Sequence, residues 1–141
     1  MKVQVMERKV MWGDLDPLGI VFYPRYYEWM DGCAHLFFQG LGIPLGSLLR
    51  ERGIIFGLVE TGCTYLSPGR YHDLIRIRAS LADVQARSVL LKFSLVKGLQ
   101  EEPLAEGMER RVCLDARDPG RLRAVEIPSD IREILEGAIA G

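Results

Sequence analysis

The run Trp12-Gly13-Asp14-Leu15-Asp16-Pro17-Leu18-Gly19-Ile20-Val21-Phe22-Tyr23-Pro24-Arg25-Tyr26 changes character halfway, from turn formers to the start of a helix. Pro17 fixes its φ and Gly19 tolerates positive φ, so Asp16 to Gly19 reads as a sharp turn. Pro24 suits the first turn of a helix, where its missing N–H costs nothing. Beyond it Tyr26, Trp29, Met30, Cys33, Phe37 and Leu41 recur at spacings of three and four, as on one helix face, and Gly40 and Gly42 suit the exit. Tyr27, Leu36 and Phe38 lie off that face, which predicts a largely buried helix from Pro24 to about Leu41.

Working outward, Gln4 to Met11 alternates loosely and reads as a strand leading into the loop, and a shorter helix spans Leu45 to about Glu51. The period then changes. Segments at about 54–67, 72–84, 88–97 and 103–117 are rich in β-formers and separated by turn residues. In Leu74 to Leu81 the residues Ile75, Ile77, Ala79 and Leu81 face one way, with Arg76, Arg78 and Ser80 the other. Glu109, Arg110 and Arg111 interrupt Ala105 to Leu114, which marks that segment as an edge or as a surface meeting another subunit. Pro128-Ser129 opens a terminal helix, Ser129 to Ala138. The order predicts an α+β fold: one antiparallel sheet with one long buried helix, residues 1–141 forming one domain.

Hydrophobic residues make up 48% and charged residues 26% of the 141 residues, the balance of a globular chain, and a net charge of −1 argues against general affinity for nucleic acid or anionic membrane. With no long apolar run and no signal-peptide core at Met1 to Val5, a cytoplasmic protein with no membrane partner is expected. Cys33, Cys63 and Cys113 are odd in number and widely spaced, so they read as small buried residues rather than as disulfides or metal ligands. Two histidines, His35 and His72, give little basis for a metal site, and each reads as a packed or surface residue. Neither a dinucleotide fingerprint nor a phosphate-binding loop is present.

The chemistry of the opening run is suggestive in its own right. A sharp turn at Asp16 can direct its carboxylate toward the start of the helix at Pro24. A helix start presents unpaired N–H groups and a partial positive charge, suited to an oxygen that becomes an oxyanion. Asp14 reads as a loop or capping residue.

The same run closely resembles the signature of the 4-hydroxybenzoyl-CoA thioesterase family, whose members have the hotdog fold. The resemblance continues through Trp29 and Asp31, Glu51-Arg52-Gly53-Ile54, Tyr71-His72-Asp73 and Arg121-Leu122-Arg123-Ala124-Val125-Glu126-Ile127-Pro128. It implies an antiparallel sheet wrapped around one long central helix and an acyl-CoA thioester hydrolase acting on 4-hydroxybenzoyl-CoA or a related aromatic or short-chain acyl-CoA. Asp16 matches the catalytic carboxylate, as nucleophile or as general base on water. Tyr23 matches the position whose backbone N–H meets the thioester carbonyl. Arg87, Ser88, Arg121 and Arg123 match positions that hold the CoA moiety, and CoA enters as part of the substrate, with no separate cofactor. A homodimer, paired again into a tetramer, is implied, with each active site at the junction of two subunits.

Two departures from the family pattern bear on the ligand. Gln85-Ala86-Arg87 replaces a run of three basic residues, and Ile43-Pro44-Leu45-Gly46-Ser47 carries no tryptophan after the helix, so the acyl pocket is expected to differ. Two rival functions share the residues: a hotdog dehydratase, which needs a histidine base that the sequence does not supply in the usual Asn-Pro-x-His form, and a non-catalytic acyl-CoA or acyl-carrier-protein binding module.

Overall fold

The computed structural model describes residues 1–140. The elements are β1 (Val3–Lys9), a short 3-10 turn (Trp12–Asp14), α1 (Pro24–Gly40), α2 (Leu45–Arg52), β2 (Ile54–Tyr65), β3 (Leu74–Val84), β4 (Ser88–Lys97), β5 (Glu102–Asp115), β6 (Arg123–Ala124) and α3 (Ser129–Ala140). The sheet is antiparallel in the order β1-β3-β4-β5-β2, and β6 extends it beside the end of β5. The expected helices and long strands are present, with no bound moved by more than two residues.

The inner face of the sheet holds the core. Ile75, Ile77, Ala79 and Leu81 of β3 are buried, as the alternation requires, and so are Leu91, Phe93 and Leu95 of β4. Against them α1 buries Tyr26, Trp29, Met30, Cys33, Ala34, Phe37 and Phe38. Close approach of α1 depends on Gly107, because a Cβ there would stand 2.1 Å from the Met30 sulfur. The helix is less enclosed than its composition suggests, since Glu28, Asp31, His35 and Gln39 keep an exposed stripe. Packed against β3, α3 buries Ile131, Leu135 and Ala138. Among the described residues no single helix is long and apolar enough to cross a membrane.

The reading of β5 as an edge is corrected. It is an interior strand between β4 and β2, and two of its charges point inward. Glu109 and Arg111 are 2% and 4% exposed, and Arg111 donates from Nε to Glu109 Oε1 at 2.9 Å, from Nη1 to the Phe56 carbonyl at 3.2 Å and from Nη2 to Asp31 Oδ1 at 2.8 Å. One guanidinium thus ties β5, β2 and α1 together. Burial pushes the Glu109 carboxyl above its ordinary value, and Arg111 offsets part of that rise.

The two edges of the sheet differ. β1 ends in Glu7, Arg8 and Lys9, charges that discourage further pairing, whereas β2 is 12 residues long and exposes Leu58, Val59 and Tyr65.

Candidate active site

The Asp16 loop is held at both ends by backbone hydrogen bonds. Gly19 N–H donates to the Asp16 carbonyl at 2.9 Å and Asp16 N–H to the Ile20 carbonyl at 2.9 Å, with Gly19 at φ 77° closing the turn. Bridges from Leu15 to Val21 and from Ile20 to Arg70 lay the loop against the segment after β2. Within the turn Leu18 N–H donates to Asp16 Oδ1 at 2.8 Å, which fixes the carboxylate through one oxygen.

Asp14 is an anchor. It is 5% exposed and accepts from Arg8 Nη2 at 3.1 and 3.2 Å and from Met11 N–H at 2.8 Å, while Arg25 Nε stands 3.7 Å away. Its own carbonyl accepts from Phe22 N–H at 2.7 Å. Residues of β1 and α1 thereby converge on one side chain of the loop, as the reading of Asp14 as a loop residue implies.

Asp16 and Tyr23 line one apolar groove of about 500 Å³ with Ile20, Val21, Tyr26, Tyr65, Leu66, Ser67 and Pro68. Tyr23 is already helical, at φ −54° and ψ −33°, and precedes Pro24, which has no N–H. Arg25 N–H turns back to the Phe22 carbonyl at 2.9 Å, and the Tyr23 N–H has no hydrogen-bond partner among the described residues. An unpaired donor at a helix start and a fixed carboxylate therefore share the groove. Neither His35 nor His72 lines it. His35 is on the exposed stripe of α1, 3.6 Å from Asp31, and His72 holds positive φ in the turn before β3.

The four residues matched to CoA binding gather elsewhere. Cys113 N–H donates to the Arg87 carbonyl at 2.7 Å, Ser88 pairs with Val112, and Arg123 pairs with Asp115, so all lie along one flank at the end of β5. Arg121 and Arg123 line an open groove of about 620 Å³ with Asp115, Arg117, Asp118 and Leu122. Arg117, which sequence reasoning overlooked, binds the Asp115 carboxylate at 3.0 and 3.2 Å, and Arg123 reaches it at 3.5 Å. Hydrogen bonds from Arg117 first, with a smaller contribution from Arg123, hold Asp115 well below the usual carboxylate range. Arg87 and Arg121 form no ion pair among the described residues, whereas Ser88 is 8% exposed and its hydroxyl is largely withdrawn.

Within one chain these two groups are far apart. Asp115 pairs with Ile54 at the start of β2, and the Asp16 groove is walled by Tyr65 at its end. At the usual rise per residue, β2 separates its two ends by about 35 Å. A bent CoA molecule could not touch both groups on a single chain without crossing most of the sheet.

The thioesterase-like superfamily model matches residues 10–135, and the chain belongs to that superfamily. Among its relatives is the 4-hydroxybenzoyl-CoA thioesterase of Pseudomonas sp. strain CBS-3, 28% identical over 134 residues that cover 92% of this chain and 94% of that protein. A solved gentisyl-coenzyme A thioesterase is 34% identical and superposes with a TM-score of 0.79 over 94% of this chain and 99% of its own. An Asp-to-Asn mutant of a 4-hydroxybenzoyl-CoA thioesterase, complexed with 4-hydroxybenzoyl-CoA, is 26% identical, with a TM-score of 0.87 over 96% and 99% of the two chains.

Proposed function

We propose that this protein hydrolyses an acyl-CoA thioester to the free acid and CoA, with Asp16 as its catalytic carboxylate. The observation that carries the proposal is the pairing, in one apolar groove, of a carboxylate held by a single oxygen with the unpartnered N–H of Tyr23. The thioester carbonyl oxygen accepts from Tyr23 N–H, where the start of α1 favours developing negative charge. Asp16 then either attacks the carbonyl carbon, expelling CoA thiolate to leave an anhydride that water cleaves, or takes a proton from the water that attacks. Both routes need only groups of this chain, and no metal or organic cofactor enters either.

The CoA nucleotide is held by Arg121 and Arg123, with Arg87 beside them, through charge-assisted contacts to phosphate. The separation along β2 and the unguarded, apolar edge of that strand support a site completed by a second copy of the chain. If two β2 strands pair antiparallel about a two-fold axis near Val59, the Tyr65 end of each meets the Ile54 end of the other. Asp16 of one chain then works with the arginines of its partner in a homodimer.

A small panel of acyl-CoAs with a free-thiol reagent tests the activity. Release of CoA by the wild type, and its loss in Asp16→Asn with CoA binding retained, is the expected result. Tight binding without release would instead establish a binding module. The placement of both histidines away from the groove weighs against the dehydratase reading.

A further inference from the structure

Arg25 stands in the first turn of α1, where a positive side chain opposes the helix dipole. Its contacts show what holds it there. Nη2 donates to the Gly13 carbonyl at 3.4 Å, and Nε stands 3.7 Å from Asp14 Oδ1, buried and without a hydrogen-bond acceptor among the described residues. On the outer side Nη1 donates to both carboxylate oxygens of Glu28, at 3.0 and 3.3 Å, an exposed pair along the helix surface. The guanidinium thus reaches back from the helix to the loop that carries Asp16.

The consequence falls on Tyr23. Before it, Phe22 N–H is bonded to the Asp14 carbonyl at 2.7 Å; after it, Arg25 meets Gly13 and Asp14. The Tyr23 peptide is therefore pinned on both sides against the same stretch of chain, which runs on through Leu15 into the Asp16 turn. Without the Arg25 contacts the Phe22 bond becomes a hinge, and the first turn of α1 can swing until the Tyr23 N–H no longer aims at the carbonyl oxygen. A misplacement of about 1 Å can cost about 100-fold in rate, because an oxyanion donor does its work in the transition state. Resting on the hydrolase reading above, we propose that Arg25 is a positioning residue: by clamping the start of α1 onto Gly13 and Asp14, it fixes the Tyr23 N–H relative to the Asp16 carboxylate.

Three variants test it, each assayed with the acyl-CoA that the wild type cleaves fastest. Arg25→Gln removes both the fork and the charge facing Asp14, and should lower kcat about 10-fold or more with KM changed by less than about twofold. Its melting temperature should stay close to that of the wild type, because the side chain is partly exposed. Arg25→Lys keeps the charge but not the fork, so its kcat should lie between the two, and it carries the test alone if the glutamine variant does not accumulate as folded protein. Glu28→Gln breaks only the exposed pair and should leave kcat within about twofold of the wild type. A near-normal kcat in the Arg25 variants, a rise in KM alone, or an equal loss in Glu28→Gln overturns the positioning role while leaving the hydrolase reading intact. Absence of CoA release by the wild type from every thioester tried would overturn the hydrolase reading and this assignment with it.

Discussion

Two aspartates two residues apart in the same loop are held in different ways. Asp14 is buried under Arg8, Arg25 and the Met11 N–H, whereas Asp16 is half-buried and, among the described residues, its carboxylate accepts only from Leu18 N–H. Asp14→Ala leaves Arg8 and the Met11 N–H without their acceptor, removes the negative charge 3.7 Å from Arg25 Nε, and should cost about 2 kcal/mol of stability, read as a lower melting temperature. Asp16→Asn keeps the turn and should change stability little, yet lower kcat by about 100-fold or more. Near-normal turnover in that variant would remove Asp16 from the chemistry. The turn at Asp16 was legible because Pro17 and Gly19, just after it, impose backbone constraints that any sequence displays, whereas its catalytic reading came from the family resemblance. The anchoring of Asp14 was not, since its partners come from β1 and α1, and Tyr65 and Arg117 were overlooked because nothing local distinguishes a groove-lining aromatic or a third arginine from surface residues.

At the scale of the element, β3 and β5 mark the limits of pattern reading. The alternation in β3 is complete because each inward position is apolar, so periodicity and burial agree. In β5 the same periodicity runs through Glu109 and Arg111, and only the Asp31 carboxylate on α1 and the Phe56 carbonyl on β2 make their burial tolerable. Arg111→Met should therefore destabilise by about 3 kcal/mol, because Glu109 would be left buried without its counter-charge. The sign of the pH dependence follows from the direction of the Glu109 shift. A carboxyl whose folded value is raised stabilises the fold while protonated, below its ordinary range, and that contribution is lost as pH rises through the folded value. Without Arg111 the rise grows, so denaturant unfolding should show the variant losing more stability than the wild type on going from about pH 5 to pH 8. Equal losses would mean that Arg111 does not control the charge of Glu109.

For the molecule as a whole, the sheet, its long helix and the family were readable from the opening run and the strand pattern, while the distance between Asp16 and the arginines matched to CoA binding was not. Sequence resemblance ranks Asp16 and Arg123 as parts of one site, but β2 carries them to opposite ends of the sheet. If the arginines read the nucleotide, Arg121→Ala and Arg123→Ala should raise KM for an acyl-CoA much more than for an acyl-pantetheine, and added salt should narrow the difference. Equal effects on the two substrates would exclude that role. The claim that one active site is made by two chains is tested most directly by mixing Asp16→Asn protein with an Arg121→Ala/Arg123→Ala double variant under conditions of subunit exchange, and measuring CoA release at low substrate concentration. Random exchange makes half of the dimers mixed, each with one intact site and one doubly damaged, so the mixture should regain about a quarter of wild-type activity. A mixture that releases CoA no faster than the average of its two components would contradict the account.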